Sequence, residues 1–202
     1  LKDDAGTRML RGMAYMQLQD YASAEKDLYA AIKQSRKSYT VYRTLYSALE
    51  AQGKDDEAKQ VLNDALQLSG SSSEDYYNRG MIYVDLQDYT NAADMLNKSY
   101  DKGYKAALLG LGEVSYTQQD YDTALTYYGK YFDEVDISSV DASLAAKAYN
   151  QYAAVLLAKG EYEKAAQACE SGLTYNDRES DAALSFNLIV SYEHLEQWED
   201  AY

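Results

Sequence analysis

The sequence predicts an all-α fold, a solenoid of antiparallel helix-turn-helix repeats with five complete units and a sixth cut short. Three observations predict it. First, an alanine recurs three residues after an aromatic, or once after Asp55: Ala24, Ala58, Ala92, Ala124, Ala165 and Ala201, at spacings of 34, 34, 32, 41 and 36 residues. Second, apolar residues recur at helical spacing on both sides of each turn, as in Met9, Met13 and Met16 followed by Ala24, Leu28, Ala31 and Ile32. Third, the 202 residues include no proline, so nothing breaks a helix from within and punctuation falls to Gly, Ser and Asp. A near-constant period carrying constant chemistry marks one supersecondary unit repeated about six times.

Each unit can be justified from its turn outward. The turns read Leu18-Gln19-Asp20-Tyr21, Gly53-Lys54-Asp55, Leu86-Gln87-Asp88-Tyr89, Gln118-Gln119-Asp120-Tyr121, Lys159-Gly160-Glu161-Tyr162 and Glu196-Gln197-Trp198. Asp20, Asp88 and Asp120 are placed to cap the second helix by accepting its free N–H groups. The following aromatic, Tyr21, Tyr89, Tyr121, Tyr162 or Trp198, covers the turn with apolar area and keeps a polar tip in water. The alanine series lets the two helices approach closely, so a larger side chain there would overpack the contact. On the first helices, small residues Gly12, Gly80, Gly112 and Ala153 recur; on the second, Leu28, Leu62, Leu96, Tyr128 and Cys169 share one core position. Cys169 therefore reads as a small buried hydrophobe and not as a reactive thiol.

These residues together resemble the tetratricopeptide repeat family: a small residue before an aromatic in the first helix, a Gly- or Gln-containing turn, then Tyr-x-x-Ala and a Leu-x-x-Ala tail. The resemblance covers nearly the whole chain as a single array, residues 1–202, with units at about 5–38, 39–72, 73–104, 105–145 and 146–181 and a partial unit at 182–202. The proline usual between units is absent, its place taken by Ser38, Ser69-Gly70-Ser71 and Gly103. The resemblance implies a right-handed superhelix whose first helices line a concave groove, and it implies that a protein or peptide partner binds there.

With the usual face turned inward, the groove would present Met9, Met13 and Met16, then Arg43 and Ser47, then Tyr77, Met81 and Val84. Leu109, Glu113 and Tyr116 continue it, followed by Lys147, Asn150 and Leu157, and by Phe186, Val190 and Glu193. Some relatives clamp a carboxy-terminal peptide with Lys, Asn and Arg on successive first helices. Here the best register offers Arg43, Ser47 and Asn78, with Ala106 and Gly110 where two further cations would stand. The expected ligand is accordingly an apolar or amphipathic segment, because Met and Tyr supply adaptable contact area. The Met9, Met13, Met16 face lies in the first unit, where it serves either as groove or as the seam to an upstream helix.

Composition narrows the function classes. A formal charge of −14 and a pI near 4.4 oppose the counterion release that drives binding to nucleic acid or anionic lipid. One cysteine and one histidine, Cys169 and His194, leave neither an internal disulfide nor a Cys/His zinc site, and no metal or cofactor is expected. The acidic stretch from Asp133 to Asp141 lacks the central glycine and closing glutamate of a calcium loop and reads as a solvated inter-repeat insertion. Gly110-Leu111-Gly112 lacks the third glycine of a dinucleotide fingerprint, and Asn97-Lys98-Ser99, a formal glycosylation acceptor, falls within a helix. No stretch is apolar enough to span a membrane and no signal segment opens the chain. It starts without an initiator Met and stops in mid-repeat, so it is expected to be cut from something longer.

No catalytic residues are expected, since helical repeats place most of their carboxylates on solvated faces. The leading expectation is a non-catalytic protein-interaction scaffold. The alternative is a structural spacer or self-assembly module, associating through its terminal repeats, in a larger and surface-attached bacterial lipoprotein. The 23 tyrosines, the acidity and the scarcity of cysteine resemble repeat arrays in bacterial secreted lipoproteins, and that resemblance implies an extracytoplasmic or cell-surface setting over the cytoplasm.

Overall fold

In the computed structural model, residues 3–35 and 38–195 are described, apart from the side chain of Glu179. Among them there are eleven α-helices and no strand: α1 Ala5–Gln17, α2 Tyr21–Gln34, α3 Tyr39–Glu50, α4 Asp55–Leu66, α5 Ser73–Asp85, α6 Tyr89–Asp101, α7 Ala107–Thr117, α8 Tyr121–Glu134, α9 Ala142–Ala158, α10 Tyr162–Leu173 and α11 Arg178–His194. The fold is the all-α solenoid class. Trp198, Ala201 and the turn of the sixth unit lie outside the described residues.

The five turns within helix pairs are one structure repeated. Gln19, Gly53, Gln87, Gln119 and Gly160 each take positive φ, between 58° and 74°. In the first, Gln19 N–H donates to Met16 O and Asp20 N–H to Tyr15 O, both at 3.0 Å; the same two bonds recur as Gly53 to Glu50 and Lys54 to Leu49, and again in the other three turns. This pair of backbone bonds satisfies the last carbonyls of the first helix and reverses the chain in two residues. Asp20, Asp88 and Asp120 then accept from the backbone of Ser23, Asn91 and Thr123 at 3.2 Å, capping the second helices as expected. Lys54 and Glu161, at the same place, make no side-chain cap.

Packing divides the chain into two compact units, Leu1–Met95 and Leu96–Tyr202, each described by itself. In the first, α1 packs on α2 and α3 on α4, while α2 meets α3 and α4 meets α5. Its core joins Ala24, Leu28, Leu45, Leu49, Ala58 and Leu62, with Met9, Tyr15 and Met16 packed partly against it. Where proline was expected between units, Ser72 and Asp75 form a reciprocal capping box at the start of α5, and Arg79 donates to Leu68 O at 2.6 Å and to Gly70 O at 3.0 Å. The loop is thus fixed by side chains in place of a rigid ring. In the second unit α7 packs on α8, α9 on α10 and α10 on α11. Its core gathers Ala153, Leu156, Ala165, Cys169 and Leu184.

The small residues of the first helices face the large residues of the second. A Cβ on Gly12 would lie 2.8 Å from Leu28 Cγ, and one on Gly112 2.6 Å from Tyr128 Cζ. Tyr128 replaces the leucine of the other units, and its ring fits because Gly112 leaves the room. The period places Tyr46 where Gly12 stands in the first unit; its hydroxyl turns aside to donate to Glu50. Cys169 is fully buried, and burial pushes its thiol up to about 12, as befits a core hydrophobe.

Two expectations on element ends need correction. The expected unit boundaries at 146 and 182 fall inside α9 and α11, which start four residues earlier and run 17 residues each. Asp141 and Asp177 start them, accepting from Leu144 N–H at 2.9 Å and Ser180 N–H at 3.2 Å. The insertion before α9 is not wholly irregular either: Asp136 nucleates a single 3-10 turn, Ile137–Ser139.

Two of the helix-interior glycines, Gly112 and Gly129, should respond oppositely to alanine. Gly112→Ala overpacks the Tyr128 contact and costs about 1–3 kcal/mol, whereas a Cβ on Gly129 meets nothing within 4 Å. Gly129→Ala should therefore stabilise by roughly 0.5–1 kcal/mol through helix propensity alone. Urea unfolding of the two variants checks the signs, and equal shifts would contradict the packing described.

A second expectation concerns acid. Asp27 is buried beneath Arg11, whose guanidinium donates Nη2–H to Asp27 Oδ1 at 2.7 Å; this bond, opposed by burial, holds the carboxyl below its usual range. A depressed carboxylate contributes stability that is complete above its unfolded pKa, about 4, and is lost as pH falls through the lower folded value. The stability difference between neutral pH and about pH 3 should accordingly be smaller in Asp27→Asn than in the parent. Denaturant melts at the two pH values measure it.

Candidate functional site

The first helices of the first unit enclose a cleft of about 360 Å³. Met13, Met16 and Gln17 of α1 form one wall, Thr40, Arg43, Thr44, Tyr46 and Ser47 of α3 the floor, and Asn78 and Asp85 of α5 the other wall. Helical spacing accounts for this convergence: Thr40, Arg43, Thr44 and Ser47 lie on one stripe of α3, opposite the stripe that buries Val41, Leu45, Ala48 and Leu49.

The floor is polar but electrically balanced. Arg43 Nε–H donates to Asp85 Oδ2 at 2.7 Å and Nη2–H to Oδ1 at 3.2 Å, a two-pronged pair that ties α3 to α5. Thr44 and Ser47 return their hydroxyls to the carbonyls of Thr40 and Arg43, and Asn78 donates to Glu74 O at 2.9 Å. Burial, reinforced by the Glu50 carboxylate that accepts its proton, pushes the Tyr46 phenol up, so it stays neutral. Met13 is 38% exposed and supplies the mobile apolar surface above this floor.

Of the residues expected to line the groove, the cleft brings together Met13, Met16, Arg43 and Ser47. Met9 is half-buried against the core, and Tyr77 and Val84 are half-buried on α5. Two expectations are corrected: Met81 and Leu109 are buried, 4% and 5% exposed, and offer no groove surface. A first helix packs against helices before and after it as well as its own partner, so its buried stripe is wider than a single amphipathic face. Arg43 is corrected in role, since its guanidinium is engaged by Asp85. In the second unit Tyr116 lies with its ring 5.8 Å from Tyr121, Asn150 accepts from Asn187 at 3.0 Å, Val190 is half-buried and Phe186 is 66% exposed.

Sequence reasoning missed Thr40, Thr44 and Asp85, which carry no motif of their own. It also missed Leu10 and Leu18, which are 65% and 75% exposed on and after α1. His194 stacks on Tyr162 at 4.2 Å, and its Nδ1 lies 2.8 Å from Val190 O. Among the described residues no group of three or more His, Cys, Asp or Glu is arranged to hold a metal ion, and no helix is long and apolar enough to cross a membrane.

Comparison with known proteins places this geometry. The sequence pattern of the tetratricopeptide repeat family matches residues 9–73 and 77–135, together more than half of the chain. A bovine protein, BBSome complex member BBS4 of Bos taurus, is 29% identical over 119 residues, 58% of this chain; the chain spans only 23% of that relative's length. Among solved structures, the type IV pilus biogenesis factor PilW superposes with a TM-score of 0.67 at 18% identity, covering 98% of this chain and 89% of PilW. The APC/C heterotetramer Cut9–Hcn1 gives 0.66 at 18% identity, covering 98% of this chain and 40% of the other, and yeast Tom70 gives 0.63 at 16%, covering 96% and 41%. These likenesses are of fold. The matched pattern, the shared turn at five places and the helix pairing lead to one assignment: the chain belongs to the tetratricopeptide repeat family.

Proposed function

We propose that this protein is a non-catalytic interaction scaffold whose first unit holds an apolar or amphipathic segment of a partner in the cleft between α1, α3 and α5. One observation carries this reading: exposed Met13 stands over a floor whose cation, Arg43, is already matched by Asp85. A floor of that kind has no free charge to capture a terminal carboxylate, and it offers an apolar wall with hydroxyl and amide groups for orientation. Family membership supports partner binding in general; the ligand class rests on the cleft itself.

A second reading is favoured by Leu10 and Leu18, whose exposure makes α1 an apolar edge suited to self-association or to a neighbouring segment of a longer protein. It fits the proposed extracytoplasmic setting, where a spacer or assembly module would present that edge. Leu10 does not line the cleft, so the two readings separate.

Peptides selected from a displayed random library against the chain should be rich in Leu, Met and Phe. Met13→Glu and Ser47→Arg, both at exposed positions, should each weaken their binding by more than about tenfold with circular dichroism unchanged. Undiminished binding in both variants would move the site elsewhere. Leu10→Asp should leave peptide binding intact; loss of a concentration-dependent species in sedimentation of that variant would support self-association.

A further inference from the structure

The second unit carries another cleft, made by different elements. It measures about 580 Å³ and lies between the second helices α8 and α10, over α9 and beside the insertion turn. Phe132, Tyr149 and Tyr152 wall it. Phe132 stacks on Tyr149 with centroids 4.8 Å apart, and Tyr152 meets Phe132 edge-on at 5.5 Å, so the rings hold one another in place. The space has two causes in the sequence. The interval from Ala124 to Ala165 is the longest of the alanine series, and Gly129 brings no side chain to the cleft.

The charges at this cleft do not balance. Lys164 lies on its rim, but its ammonium is 2.7 Å from Glu161, which cancels it. Asp133, also on the rim, is exposed, and among the described residues its carboxylate has no ion-pair or hydrogen-bond partner. An unmatched carboxylate beside fixed aromatic rings, on a chain of formal charge −14, favours a cation with an apolar stem. An arginine or lysine side chain meets both demands, since its methylenes lie along the rings while the charged head reaches the carboxylate. A purely apolar residue would leave Asp133 without a partner, and an acidic one would oppose it.

We infer that this cleft docks a basic segment of a partner protein, seating an arginine or lysine side chain against Phe132, Tyr149 and Tyr152 with Asp133 as its counter-ion. The volume has room for two or three residues of an extended chain, so flanking apolar side chains enter with the cation. This docking site is built from second-unit residues alone and does not depend on the peptide cleft of the first unit.

Gly129 supplies the test. Because a Cβ there meets open space, Gly129→Arg keeps the helix and puts a fixed cation where the ligand's would sit. The probe is an amidated octapeptide of alternating leucine and arginine, titrated into the isotope-labelled chain and followed by amide chemical shifts. Shifts should centre on Gly129, Asp133 and Gln167, and a neutral peptide with citrulline for arginine should bind about tenfold more weakly. Gly129→Arg should weaken the arginine peptide by a similar factor and Gly129→Ala should not. Thr117→Arg adds the same charge at the exposed end of α7, outside the cleft, and should change binding by less than about twofold. Equal weakening by Thr117→Arg and Gly129→Arg, equal affinity for the citrulline peptide, or no binding at all would each overturn the inference.

Discussion

The rest of the structure depends on one backbone constraint, the left-handed residue that ends each first helix. At that residue the chain leaves the helix, and two N–H groups turn back to the helix's last carbonyls. The reversal occupies so few residues that the second helix can only run antiparallel to the first, with its face fixed to within a fraction of a turn. Three of the five positions are glutamine, a residue that loses roughly 1–2 kcal/mol in this conformation relative to glycine. The chain tolerates this strain because the hydrogen bonds and the packing of the following helix over-determine the turn.

Once the turn is fixed, so is the pairing of side chains across each helix pair. Ala24, Ala58, Ala92, Ala124 and Ala165 are all buried to 1% exposure or less, and so are Leu28, Leu62, Leu96, Tyr128 and Cys169. At these contacts a glycine makes room for a larger side chain of differing identity: it stands against tyrosine at 112 and 128, and against leucine at 12 and 28. Such a constraint is local to each pair. It explains how one unit takes a tyrosine and another a cysteine at the same place without disturbing its neighbours, as expected where stability is a sum over units and their interfaces.

Legibility in the sequence followed the same division. The turn, the alanines, the caps at Asp20, Asp88 and Asp120 and the core position of Cys169 were legible because each is decided within one unit and then repeated. The interchange of Gln19, Gly53, Gln87, Gln119 and Gly160 at one register was the available sign of a left-handed residue. What stayed hidden was decided between neighbouring repeats. Met81 and Leu109 look like groove residues from their own helix, yet neighbouring packing buries them. The Arg43–Asp85 pair joins two repeats of the first unit at a spacing of 42 residues, with no local pattern to announce it. The ring cluster of Phe132, Tyr149 and Tyr152 forms only because the insertion and Gly129 leave room beside α8.

Charge ties these levels to recognition. The 19 basic residues are outnumbered by 33 acidic ones, and several of the basic ones are committed inside the fold: Arg11 to Asp27, Arg43 to Asp85, Lys54 to Glu25, Lys105 to Glu134, Lys159 to Asp122 and Lys164 to Glu161. Five of these six pairs, all but Lys164–Glu161, join residues at least 16 apart in the sequence, so they act as crosslinks as well as counter-ions. Each committed cation leaves the surplus carboxylates less opposed at the surface. A partner therefore meets a negative field at long range, which speeds the approach of basic segments, and neutral or apolar surface at contact in the first unit. On the proposed reading the field brings basic partners in, the methionine wall holds an apolar segment, and the aromatic wall with Asp133 holds a cation.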